Sequence, residues 1–112
     1  MHVTPLLRCL LVMVLALVQP PPSLAQAVPA PVFTYTGGDG STIRKSIVIA
    51  GARNAPEGVA AELEWIRQHL PGATVESRGQ VTGPPHYDVV TVKLATGALM
   101  DLHFDITAFH GK

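Results

Sequence analysis

The chain has 112 residues and a single cysteine, Cys9, so no intrachain disulfide or cysteine-rich metal knuckle can hold it together. Charge is also scarce and balanced: eight Lys or Arg stand against eight Asp or Glu, with no run of either sign. Phosphate recognition requires clustered cations, and nucleic acid is therefore not an expected partner. No stretch is long enough to cross a bilayer as a helix. The longest uninterrupted apolar run, residues 9–18 ("CLLVMVLALV"), is ten residues long, about half of what a span needs. A Gly-x-Ser-x-Gly nucleophile elbow is absent, and so is the Lys-Ser/Thr ending that would turn "GGDGST" into a phosphate-cradling loop.

That apolar run follows His2 and Arg8 and precedes "QPPPSLAQA", where prolines end the helix and small residues offer cleavage after Ala25 or Ala27. This is the layout of a secretory signal peptide over residues 1–25. The expected product is exported, periplasmic or secreted, without a membrane anchor. About 86 residues remain after cleavage, enough for one domain of modest stability margin. Residues 26–42 read as a flexible N-terminal segment, with Phe33 and Tyr35 on one side of a possible short strand. The Gly-rich turn "GGDG" follows. Residues 43–112 read as the folded domain.

Within it, "TIRKSIVIAG" alternates at Ile43, Ile47 and Ile49 and predicts a central strand. Asn54 followed by Pro56 and Glu57 is a capping-box start. From there Val59, Leu63, Ile66 and Leu70 step by four, three and four, which predicts an amphipathic helix buried along that stripe, with Trp65 off its centre. "LPG" ends it. "TVESRGQV" reads as a polar edge strand with Val75 and Val81 facing one way and Glu76, Arg78 and Gln80 the other. "HYDVVTVKLA" and "LMDLHFDIT" turn Val90, Val92, Leu94 and Met100, Leu102, Phe104, Ile106 inward. A loop of Thr96, Gly97 and Ala98 would pair Leu94 with Met100, Val92 with Leu102, Val90 with Phe104 and Lys93 with Asp101. The expected fold is α+β: one amphipathic helix on a four-stranded antiparallel sheet, in the order β-α-β-β-β.

The same alternation puts Asp101, His103 and Asp105 together on the opposite face. They are the candidate metal ligands, but residues two apart on a strand are roughly 6.5–7 Å apart, and a zinc site needs a third ligand and supporting hydrogen bonds. A solvated sheet face explains the pattern without an ion, and neither metal nor cofactor is expected. His69 lies in the last helical turn, where positive charge suits the helix dipole, whereas His86 and His110 have no local partner in the sequence. Gly38, Asp39, Trp65 and Gln80 form the candidate contact surface.

The segments "YTGGDGS", "VIAGARNAPEGVAAELEWIRQHLPG", "YDVVTV" and "FDITAFHGK" resemble a group of short exported bacterial proteins of uncharacterised function, which implies export and a single compact domain. In topology, a strand, a helix and three antiparallel strands are similar to the cystatin-type arrangement. Gln80 to Gly83 ("QVTG") is one residue short of that family's Gln-x-Val-x-Gly loop, and its Pro-Trp pair is missing. The resemblance implies a cystatin-like protease inhibitor as one alternative, beside a small metal-dependent enzyme built on His103. The expected function is a non-catalytic module that binds a protein, peptide or envelope component. One helix and about 86 residues leave little room for a deep substrate pocket.

Overall fold

The computed structural model describes residues 29–112, and the expected signal segment lies outside them. Among these, 31–112 form one compact unit. Its elements are β1 (Thr34–Gly37), a 3-10 turn (Ile43–Lys45), β2 (Ile47–Ala50), helix α1 (Ala55–His69), β3 (Thr74–Val81), β4 (Tyr87–Lys93) and β5 (Leu99–Asp105). None of the helices among the described residues is long and apolar enough to cross a membrane. Among the described residues the fold is α+β, with one α-helix and a mixed sheet in the order β1-β2-β5-β4-β3.

The expected four antiparallel strands become five because residues within the segment assigned to a flexible tether join the sheet. Thr34–Gly37 pairs antiparallel with β2 as an edge strand, and the Tyr35 hydroxyl donates to the Ala61 carbonyl of α1 at 2.7 Å. The sheet is mixed because β5 returns between β2 and β4. It runs antiparallel to β4 and parallel to β2, through Ile47 opposite Phe104 and Val48 opposite Asp105. Ile43 does not belong to β2. Thr42 caps the 3-10 turn by accepting from the Lys45 N–H, so the strand begins only at Ile47.

The helix starts as expected. Asn54 accepts from the Glu57 N–H at 3.0 Å, and Glu57 reaches back to the Arg53 N–H and guanidinium. The buried face is another matter. Gly58, Ala61, Glu62, Trp65 and Ile66 are buried, whereas Val59 and Leu63 are 36% and 42% exposed. Relative to the predicted stripe the helix is rolled by about a quarter turn, at roughly 100° per residue. The cause is apolar surface that helical spacing does not reveal. Trp65 meets Phe104 edge to face, with ring centroids 5.9 Å apart, β1 brings Phe33 and Tyr35 to the core, and the C-terminal Phe109 ring lodges against Gly58.

The β4–β5 pairing preserves the expected parity but slips by two residues: Val92 lies opposite Met100, Val90 opposite Leu102, Asp88 opposite Phe104 and Lys93 opposite Leu99. Gly97 sets this register. It takes φ +91 as the third residue of an Ala95-Thr96-Gly97 loop closed by Leu94 N–H to Ala98 O at 2.7 Å, the turn-plus-left-handed-residue form of a three-residue hairpin. The predicted loop placed Gly97 one position too early. Val90, Val92, Leu102 and Phe104 are fully buried beneath the helix.

In β3 the expected alternation breaks. Val75 pairs with Val92 and Ser77 with Thr91, which leaves Glu76 as an extra, bulged residue. One extra residue reverses which face each later side chain takes. Arg78, opposite Val90, and Gln80, opposite Asp88, therefore share the helix-side face with Val75, while Val81 joins the outer face opposite Tyr87.

A Cβ on Gly58 would collide with the Phe109 ring. Gly58→Ala would ordinarily gain about 1 kcal/mol of helix propensity. Here we expect a net loss of about 1–3 kcal/mol from overpacking against a buried ring, read by urea unfolding. A stabilised variant would refute the placement of Phe109.

Candidate functional site

Asp101, His103 and Asp105 share the outer face as the alternation requires, but each is occupied separately. Thr91 Oγ1 donates to Asp101 Oδ1 at 2.6 Å. Asp105 Oδ1 accepts from both the N–H and the hydroxyl of Thr107. His103 is half-buried rather than solvated, because the glycine-rich loop crosses over it. Its backbone N–H and its Nδ1 both donate to the Gly40 carbonyl, at 2.8 and 2.9 Å. A carbonyl only accepts, so the proton sits on Nδ1. Opposite these residues stand Thr91, Val89 and Tyr87, which add no strong ligand. Among the described residues no three His, Cys, Asp or Glu side chains converge as a metal site would require.

Three of the four candidate contact residues come together elsewhere. Gly38, Asp39 and Trp65 line a cleft of about 470 Å³ with Tyr35, Ile47 and His69. The His69 ring stacks on the indole at 4.2 Å and donates from Nδ1 to the Trp65 carbonyl at 3.0 Å. Its place in the last turn thus serves to cover Trp65, which is 8% exposed and part of the core rather than of a contact surface. Asp39 accepts from the Ser41 N–H and hydroxyl, which hold its carboxyl below the usual range. Gln80 lies far along the sheet, on β3. The other two histidines also form a pair not apparent from sequence spacing: His86 and His110 stack at 3.8 Å, and His86 Nδ1 accepts from the Gly83 N–H.

A second groove, of about 430 Å³, runs between the C-terminal half of α1 and the start of β3. Leu63, Ile66, Leu70, Ala73 and Val75 line it, and Arg67 stands at its rim. Beside it lies the free edge of β3, the last strand of the sheet. The rolled helix created this surface by leaving Leu63 uncovered.

Deeper under α1 lies a group outside the predicted stripe of Val59, Leu63, Ile66 and Leu70. Glu62 is 0% exposed. Its Oε1 accepts from the Arg78 guanidinium, whose side chain is 32% exposed, and its Oε2 has no hydrogen-bond partner. Burial first, and then the Asp88 carboxylate beside it, push the Glu62 carboxyl up to about 8, with Arg78 pulling the other way. The signal that could have located this site is the bulge, which brings Arg78 to the inner face, but single-strand alternation does not announce bulges.

Burial, with a contribution from Glu64, also raises the Tyr35 phenol to about 12. The neutral phenol stabilises the fold, and that contribution is lost as pH rises from the ordinary tyrosine value through about 12. We expect Tyr35→Phe to cost about 1 kcal/mol in urea unfolding at neutral pH and to remove this alkaline dependence. An unchanged midpoint would show that the bond to Ala61 contributes nothing. No protein-family model matches the chain, and neither a curated protein nor a solved structure matches it significantly.

Proposed function

We propose that the protein is an exported, non-catalytic binding module that takes an extended segment of a partner protein along the free edge of β3, with alternate apolar side chains of that segment under α1. The observation that carries this reading is the exposure of Leu63, at 42%, in an apolar groove that it lines with Leu70 and Val75 beside the free edge of the sheet.

Geometry selects the occupant. Strands in a sheet are spaced by roughly 4.8 Å, and a helix with its side chains is about 10–12 Å wide, so α1, seated on Phe104 of the middle strand β5, leaves the groove between Leu63 and Val75 open beside the β3 edge. A segment paired to β3 as a sixth strand would lie along that groove. Its inward side chains would meet Leu63, Leu70 and Val75, while its backbone groups would pair with β3 as in other strand-addition complexes. Arg67 has no carboxylate within ion-pair distance among the described residues and stands at the groove rim, where an acidic residue in the bound segment would complement it. A second copy of the chain fits less well, because the bulge at Glu76 and the charges of Glu76 and Arg78 are features that disfavour pairing between like edges.

Full burial of a leucine is worth roughly 1.5–3 kcal/mol, and Leu63 has somewhat less than half of its surface left to cover. A loss near 1.4 kcal/mol, which corresponds to tenfold in affinity, is the expected effect of Leu63→Ala. The test is selection of a phage-displayed random peptide library on the protein, with counter-selection on Leu63→Glu. Enriched peptides should alternate apolar and polar residues, slow amide exchange along β3, and bind Leu63→Ala about tenfold more weakly. Absence of enrichment, or peptides indifferent to Leu63, would overturn the reading. So would a dimer in sedimentation that Leu63→Glu dissolves, since it would make a second copy the occupant.

A further inference from the structure

The bulged half of β3 delivers a cation to a buried acid, and a second acid faces it from β4. Glu62 is enclosed, with Arg78 on one oxygen and no donor on the other. Asp88, opposite Phe104 and Gln80 on the helix-side face, is the second acid acting on the Glu62 carboxyl. From β5 the inner face offers Met100, Leu102 and Phe104, none of them charged. Arg78 and Asp88 are thus the charged groups that face Glu62 from the strands packed against it. Two carboxylate oxygens are both acceptors and repel. The contact is favourable only when one carries a proton, and the enclosed Glu62 is the one that desolvation neutralises.

We propose that Glu62, Arg78 and Asp88 form a proton-loaded latch between α1 and the edge strand β3: closed while Glu62 is neutral, and opened over residues 78–81 when its proton is lost to solvent. In the closed state the latch holds one cation, one anion and one neutral acid, so its charge sums to zero, and the proton on Glu62 supplies the donor that two facing carboxylates lack. In the ionised state one guanidinium must serve two carboxylates. Arg78 is the member with access to water, at 32% side-chain exposure, and its strand has no neighbour on its far side. The least costly relief is therefore for residues 78–81 to lift away and admit water.

The sign follows from linkage. The closed form holds the proton up to about pH 8, whereas an exposed glutamate releases it near its ordinary value of about 4.3. The latch therefore contributes fully below the lower value. Between the two values the opening equilibrium rises by as much as tenfold per pH unit, and it levels off above about 8. This behaviour belongs to the chain alone and does not depend on any partner.

The test is amide hydrogen exchange of residues 78–81 from pH 5 to 9.5, expressed as the ratio of the protein to its Glu62→Gln variant so that intrinsic exchange rates cancel. The ratio should climb by up to tenfold per unit and then flatten near pH 8, while β1 amides stay level. A flat ratio at residues 78–81, or an equal slope in every strand, would overturn the latch. Should Glu62→Gln fail to fold, infrared spectroscopy of the unsubstituted protein decides. A protonated-carboxyl band present at pH 6 and lost by pH 9, and moved to lower pH by Asp88→Asn, is the expected result. Absence of that band at pH 6 overturns the proposal.

Discussion

The fold rests on the contact between the inner face of β5 and the underside of the helix. Leu102 and Phe104 are fully buried, and Phe104 presents its ring to the edge of Trp65. Aromatic pairs in this arrangement contribute about 0.5–1.5 kcal/mol beyond their area. In a chain with one tryptophan and three phenylalanines, that pair anchors the helix roll as well as its position. Once Trp65 points down, Ala61 and Gly58 must also point down, and Val59 and Leu63 are carried outward. The exposed stripe is a mechanical consequence of where the largest side chain was placed.

The bulge at Glu76 is the second organising feature. Without it, alternation would have set Arg78 in water and left Glu62 buried with no cation, a cost of several kcal/mol for an ionised group. With it, the polar end of the helix–sheet interface is closed by an ion pair plus a second carboxylate, and the apolar end by Ile66, Leu70 and Val75. β3 thus divides into two stretches of different chemistry on either side of one inserted residue.

Much of this architecture was legible in the sequence, and the failures have physical causes. The helix start at Asn54, its end before Gly72, and the inward parity of Val90, Val92, Leu102 and Phe104 follow from local rules that tertiary structure did not override. Local spacing says nothing about which additional surfaces arrive from afar, so the helix roll depended on Phe109, Phe33 and Tyr35, which lie outside the periodic segments. The two-residue slip in the last hairpin arose because a three-residue loop admits glycine at more than one position, and only the left-handed third place fits here. The outer face was read correctly as a row of side chains but not in its cover: nothing near His103 in sequence indicates that the Gly40 carbonyl will sit on it. The inner cluster was hidden because alternation turned Arg78 away from Val75 and the apolar stripe passed Glu62 by, until a single bulge and a quarter turn of helix brought both inward.

The last strand in the chain occupies the middle of the sheet, between β2 and β4. Until it inserts, the β1–β2 pair and the β3–β4 pair share no ladder at all, and the underside of α1 has half a floor. During synthesis, the earlier strands would therefore dwell as two disconnected pieces, with assembly deferred to the arrival of β5. Such contacts between distant residues slow folding, and here they make closure of the domain an event timed by the insertion of β5.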